Sequence, residues 1–94
     1  MTKVLFRTFG HITVITKGNQ LGIEFAGATI EEFLVELVKR FGEPMNGILF
    51  PRGAGFSEML YVLVNGRNMA TLDGPKTLLK DGDVVSVLPM TAGG

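Results

Sequence analysis

The chain of 94 residues lacks cysteine and tryptophan and has a single histidine, His11. Without cysteine it can form no disulfide, bind no metal through a thiolate and use no cysteine nucleophile. One histidine cannot by itself supply a metal site, or a Ser-His pair with the group that orients it. Most ready-made catalytic arrangements are therefore excluded.

The chain also lacks an excess of charge of either sign. Nine Lys and Arg balance nine Asp and Glu, and no run of like charges occurs. A basic surface for nucleic acid is therefore not expected. Hydrophobic residues make up 46% of the chain, but they fall in short, interrupted stretches that could not span a bilayer. With no export signal visible at its start, we expect one soluble, cytoplasmic domain that binds neither nucleic acid nor membrane.

The first quarter of the chain is rich in β-forming residues. Residues 3–8 and 12–16 each have the composition of a strand, and residues 17–20 that of a turn. Residues 21–25 alternate apolar with polar or small side chains, which is typical of a strand with one buried face. This pattern predicts a hairpin.

A helix is predicted over residues 30–41. Thr29 and Glu32 have the spacing of a capping box, and Gly42 marks the end of the segment. The apolar residues recur at helical spacing, at Ile30, Phe33, Leu34, Leu37, Val38 and Phe41.

Residues 43–58 are broken up by proline and glycine, which indicates a packed loop that could contain a short strand. Residues 59–64 are predicted to form a strand that turns back at Asn65-Gly66, because both turn residues tolerate positive φ. Residues 68–72 would supply the return arm, and residues 84–88 the last strand, which Pro89 ends.

This order of elements predicts an α+β domain of the ubiquitin-like β-grasp plan, with a mixed sheet and one main helix packed across one face. The domain would span residues 1–89, followed by a flexible tail at 90–94.

In the predicted strands at 60–64 and 84–88 both faces are largely apolar, although one helix can cover only one face of the sheet. Either the loop at 43–58 covers the second face, or that face is exposed and binds a partner. In the second case the free protein could also form a homodimer. The candidate residues of such a partner surface are Tyr61, Leu63, Val85, Val87, Phe50 and Phe56.

Asp81 and Asp83 are the only closely spaced carboxylates near a turn that could suggest a cation. Two carboxylates leave a cation under-coordinated, so a turn is the better interpretation, and no metal is predicted. A lone histidine beside Gly10 is typical of a solvated loop, and we assign His11 no role.

The last two residues, Gly93 and Gly94, could be a frayed end or a chemical group. Because glycine has no Cβ, such an end can enter a narrow channel and present the α-carboxylate of Gly94.

Six short motifs follow one another along the chain: Lys3–Phe6, Gly27–Thr29, Val64–Gly66, Leu79–Val85, Leu88-Pro89 and Ala92–Gly94. This is the order used by the MoaD/ThiS sulfur carriers, which the chain resembles over nearly its whole length. It is most similar to the small subunit of molybdopterin synthase. Two departures are Met90, where a second proline is common, and the long segment 43–58.

The resemblance implies a non-catalytic carrier with no bound cofactor. A ubiquitin-activating-type enzyme would use ATP to adenylate Gly94, and a sulfur donor would convert it to a thiocarboxylate. An extended tail reaching about 16 Å would then enter the large subunit of molybdopterin synthase, which holds the catalytic residues. That tail comprises Met90, Thr91, Ala92, Gly93 and Gly94.

Three other functions stay open. A ubiquitin-like modifier would be joined through Gly94 to lysines of other proteins. A carrier of the same design could serve sulfur transfer to tRNA or thiamine. A plain interaction module would use neither chemistry.

Overall fold

The structure is a computed structural model that describes residues 1–51, 53, 55–57 and 59–89. Two short 3-10 turns, Met69–Thr71 and Gly74–Lys76, separate the last two strands. In the described part of the chain, no helix is long and apolar enough to cross a membrane. The strands and helices are β1 (Thr2–Thr8), α1 (Ile12–Thr16), β2 (Gln20–Phe25), α2 (Ile30–Phe41), α3 (Glu43–Leu49), β3 (Leu60–Val64), β4 (Arg67–Asn68) and β5 (Val84–Pro89).

The strands form one mixed sheet in the order β2-β1-β5-β3-β4. Strands β1 and β5 run parallel at its centre, and the other neighbours are antiparallel. Helix α2 packs across one face of this sheet through its apolar side. The α+β architecture with one main helix across a mixed sheet is therefore confirmed.

The core is centred on three phenylalanines at the contact between sheet and helix. Phe33 of α2 lies with its ring centroid 5.4 Å from that of Phe6 and 5.5 Å from that of Phe25, in edge-on and tilted arrangements. All three side chains are buried. Aromatic pairs at this distance add about 0.5–1.5 kcal/mol to their area burial. These contacts fix α2 on β1 and β2.

The start of α2 is the capping box that the sequence predicts. The Thr29 hydroxyl accepts a hydrogen bond from the Glu32 amide at 3.2 Å, and Glu32 Oε1 accepts from the amides of Ala28 and Thr29 at 3.0 and 3.2 Å. Gly27 lies beside this carboxylate at φ +151°, where a Cβ would lie 2.9 Å from Glu32 Cβ. The hydrogen bond from the Ala28 amide, followed by those from Thr29, lowers the pKa of Glu32.

Residues 12–16 form helix α1, so the prediction of a strand there is wrong. Strand β2 does pair antiparallel with β1, as a hairpin would, but a helix makes the connection. The Thr8 hydroxyl lies 3.1 Å from that of Thr13 and 3.3 Å from that of Thr16, and Ile12 is fully buried. These tertiary contacts outweigh the preference of β-branched residues for strands.

Residues 43–49 form helix α3, where the sequence predicts a loop with a possible strand. Pro44 lies in the first turn of the helix, where a missing N–H costs no hydrogen bond. Met45 and Leu49, one turn apart, are fully buried. The return arm of the second hairpin is also shorter than predicted, because β4 covers only two residues before a 3-10 turn.

The capping carboxylate predicts a pH-dependent stability. Because folding lowers the pKa of Glu32, this side chain stabilises the fold above its ordinary pKa of 4.5, and that contribution is lost as the pH falls through the lower folded value. We expect the free energy of unfolding of the wild type to exceed that of Glu32→Gln at pH 7, and the difference to shrink towards pH 3. Urea denaturation across this range measures both.

Glu31→Gln is the matched control. Glu31 is next to Glu32 in the chain and carries the same charge, but it forms an exposed ion pair with Lys76. An equal pH dependence of the two variants relative to the wild type would contradict the role given to the capping box.

Candidate functional site

The last strand leads towards the predicted reactive end of the chain. Strand β5 ends at Pro89, which pairs with Leu60 at the start of β3. The Pro89 ring also lies against the β1–α1 turn, with its Cγ 3.4 Å from where a Cβ of Gly10 would stand. Residues 90–94, which include the predicted tail and Gly94, lie outside the described residues. Their predicted roles therefore stay predictions.

The sheet face opposite α2, here called the outer face, is covered by no helix of the described residues. Successive side chains of a strand point to opposite faces of the sheet, so the residues between the buried ones belong to the outer face. Tyr61 on this face is 39% exposed. A shallow groove of about 370 Å³ crosses it, with Leu63 and Val84 among its walls. The outer face comprises Leu5, Arg7, Phe9, Tyr61, Leu63, Val84, Ser86 and Leu88.

Val85 and Val87 are not part of a surface, so their prediction as partner-binding residues is wrong. Both side chains are fully buried on the face that α2 covers. The β5 residues that share the outer face with Tyr61 and Leu63 are Val84, Ser86 and Leu88. Both rows of β5 contain valine or leucine, so hydrophobicity alone could not identify which row faces the helix.

The register with β1 carries the signal that the sequence prediction missed. In the parallel pairing, Arg7 lies beside Ser86, and Phe6 beside Val85. A row that contains an arginine and a serine is the more exposed one, whereas a row that contains Phe6 belongs to the core. Pairing the last strand with the first would therefore have assigned the faces correctly.

Phe50 and Phe56 lie on the other side of the sheet from the outer face. Their rings contact each other edge-on, with centroids 6.5 Å apart, and both pack partly against the core. A second cleft of about 390 Å³ lies between this pair's segment and α2, next to Val35 and Lys39. The described part of segment 43–58 therefore packs against the helices and does not cover the outer face.

The two turns at the opposite end of the sheet are held together by side chains. The Asn65 amide donates to Asp83 at 3.0 Å, and its oxygen accepts from the Val84 amide at 2.9 Å. The second oxygen of Asp83 accepts from the Lys80 amide, at 2.9 Å. Asp81 accepts from the Lys3 amide, also at 2.9 Å. The interpretation of both aspartates as turn residues is confirmed.

Large exposed apolar side chains lie close to the end of β5. Val14 of α1 is 76% exposed and follows the turn that touches Pro89, while Met59 is 62% exposed and precedes the strand that pairs with Pro89. Tyr61, which is also exposed, lies opposite Leu88 near the end of β5. Such a surface is suited to contact with another protein.

Comparisons with known proteins agree with this geometry. A sequence profile of the ThiS family matches residues 7–94. A protein of Archaeoglobus fulgidus, provisionally described as a sulfur carrier protein, is 32% identical over 74 residues, which cover 79% of this chain and 83% of the relative.

Solved structures share the whole fold. The solution structure of small archaeal modifier protein 1 from Methanosarcina acetivorans has a TM-score of 0.87 at 25% identity, covering 100% of this chain and 98% of that one. A Pyrococcus furiosus protein, provisionally described as molybdopterin converting factor subunit 1, has a TM-score of 0.73 at 26% identity, covering 97% and 100%. The ubiquitin-like β-grasp fold is confirmed.

The assignment of faces on β5 predicts unequal costs of truncation at neighbouring positions. We expect Val87→Ala to lower the free energy of unfolding by about 2 kcal/mol, because it leaves a cavity under α2. Leu88→Ala removes a larger side chain from the outer face and should cost clearly less. Chemical denaturation of both variants measures the difference, and a larger cost at Leu88 would contradict the assignment.

Proposed function

Because the chain belongs to the ThiS/MoaD family of small sulfur carriers and ubiquitin-like modifiers, we propose that it carries sulfur as a thiocarboxylate on Gly94. The sulfur would be donated in the biosynthesis of molybdopterin, the organic part of the molybdenum or tungsten cofactor. The main structural support is the position of Pro89: a central strand ends there beside an open apolar face, five residues before Gly94.

The chemistry requires an activating partner. A carboxylate is ionised at neutral pH, since its pKa is about 3.5, and it is a poor acyl donor. An adenylating enzyme of the ubiquitin-activating type would join Gly94 to the AMP portion of ATP and release pyrophosphate. A sulfur donor would then displace AMP and leave sulfur in place of one carboxylate oxygen. The role of this chain is to present its end to that enzyme.

The second partner in this proposal is the large subunit of molybdopterin synthase. The tail would enter its active site, where the residues that catalyse sulfur transfer belong to that subunit. The likeness to the Pyrococcus furiosus protein supports this assignment. The carrier itself would serve as a cosubstrate.

A ubiquitin-like modifier is the second candidate function. The match to small archaeal modifier protein 1 along the whole chain favours it. The same activated Gly94 would then be attacked by a lysine amine of another protein, forming an isopeptide bond. The two functions share the activation step and differ in the acceptor. Sulfur transfer to tRNA or thiamine would differ only in the final recipient.

Mass spectrometry of protein isolated from its native cell separates these functions. Sulfur carriage predicts an intact mass raised by the exchange of one oxygen for sulfur. Conjugation predicts lysine-linked Gly-Gly remnants in digests of other proteins. Detection of neither product under conditions of active cofactor synthesis would contradict both and leave an interaction module.

Substitution of the terminal glycines tests the proposed site. We expect Gly94→Ala and Gly93→Ala to abolish or strongly reduce sulfur loading, because a Cβ would obstruct a narrow channel in the partner. The melting temperature should not change, because neither residue was predicted to join the core. Loading is measured as the fraction of protein with the sulfur-containing mass after incubation with the activating enzyme, ATP and a sulfur donor.

Gly47→Ala is the control for these variants. A Cβ at Gly47 meets no atom within 4 Å. It should load sulfur like the wild type. Normal loading of Gly94→Ala would contradict the proposed site.

A further inference from the structure

Arg7 is a charged residue in the middle of the outer face. It is exposed, and its neighbours across the sheet are Gln20 on β2 and Ser86 on β5, with Leu63 of β3 beyond. None of these side chains carries a negative charge. The guanidinium carbon of Arg7 lies 5.7 Å from the ring centroid of Phe9. The ring therefore holds the side chain over the face without neutralising it.

The other cation on this side of β1, Lys3, has an acidic residue opposite it in the sheet, whereas Arg7 has none. Lys3 lies opposite Glu24 in the register of β1 with β2, and its backbone amide donates a hydrogen bond to Asp81. The ion pairs of the described residues join Arg40 to Glu36 and Lys76 to Glu31, and none includes Arg7. Arg7 is thus the uncompensated charge of the outer face as far as the structure describes it.

The groove around Arg7 is apolar for the larger part and contains no acidic residue. Arg7 lines this groove of about 370 Å³ together with the apolar Phe9, Leu63, Val84 and Leu88 and with Asn65, Gly66 and Ser86. A partner that covers this groove would remove water from the guanidinium. Burying an unpaired charge is costly, whereas a carboxylate can form two parallel hydrogen bonds with the planar fork of an arginine.

We propose that Arg7 determines partner specificity on the outer face by pairing with a carboxylate that the adenylating enzyme presents within an apolar contact. This inference rests on the proposed function. Both candidate functions need activation of Gly94, so the adenylating enzyme is the partner that they share. Its binding therefore tests Arg7 independently of the final acceptor.

The charge also argues against a second copy of this chain as the main occupant. In a two-fold contact the same patch of both molecules meets. Such a contact through the groove would bring two uncompensated arginines into one desolvated interface. Like charges in that position oppose association. A partner with an acidic group in an apolar surface fits the groove better.

The test measures binding of the full chain to the purified adenylating enzyme of the same organism. Surface plasmon resonance at several salt concentrations gives the association and dissociation rates. We expect Arg7→Gln to weaken binding about tenfold, mainly through a faster dissociation rate because the proposed pair is buried, and to reduce the dependence of the association rate on salt. Arg7→Lys should bind with intermediate affinity, because it keeps the charge and loses the fork. Arg7→Glu should bind more weakly than Arg7→Gln.

Arg67→Gln is the matched control, because it makes the same change of charge at an exposed residue of β4 that pairs with Val64, a core position. Equal effects of Arg7→Gln and Arg67→Gln would overturn the inference, as would unchanged binding of Arg7→Gln. Failure of the wild type to bind or become adenylated would overturn the proposed function, and this inference with it. Unfolding curves of the variants establish that each is folded.

Discussion

The parallel pairing of β1 with β5 is the constraint on which the arrangement of this molecule depends. Parallel neighbours cannot be joined by a tight turn, so the chain between them must cross the sheet. Here that crossing includes α2, which covers one face, and β3, which pairs with the other edge of β5. The last strand is therefore enclosed by two neighbours, and its end emerges beside the turn that follows β1.

This topology separates the molecule into two ends with different roles. At one end, Asn65 and Asp83 connect the two turns through a set of side-chain hydrogen bonds. At the other end, the Pro89 ring lies next to Gly10, and the terminal residues follow Pro89 in the chain. In the family motifs that include them, Asn65 and Asp83 are therefore explained by the hydrogen bonds that the two turns require. They lie at the end of the sheet remote from Pro89, and their connection with the proposed chemistry is indirect.

The sequence predicted those elements whose signals are local. The capping box of Thr29 and Glu32 and the helical spacing of apolar residues define α2 without reference to the rest of the chain. Helix α1 was missed because its β-branched residues are held by Thr8, a contact that only the tertiary structure supplies. Helix α3 departs from the predicted loop because the prolines and glycines of 43–58 indicate a loop as a group, whereas Pro44 lies in the first turn, where a helix tolerates it.

The partner surface was predicted only in part for a related reason. Tyr61 and Leu63 do lie on the outer face, but Val85 and Val87 were placed with them although they are buried. Hydrophobicity could not separate two apolar rows of one strand, and the separation required the register with Arg7 and Phe6. The predicted reactive residue, Gly94, depends on a chain end and a family pattern, and the described residues do not test it.

The composition of the outer face suits a protein that must release its partners. In the proposed cycle the carrier binds an activating enzyme, leaves it and binds an acceptor, so no single contact can be permanent. Permanent interfaces are more apolar, whereas transient ones combine an apolar centre with polar groups. Leu63, Val84 and Leu88 supply the apolar part, and Arg7 and Ser86 interrupt it. Because the interruption is a charge, it penalises any partner without a matching group and can therefore supply selectivity.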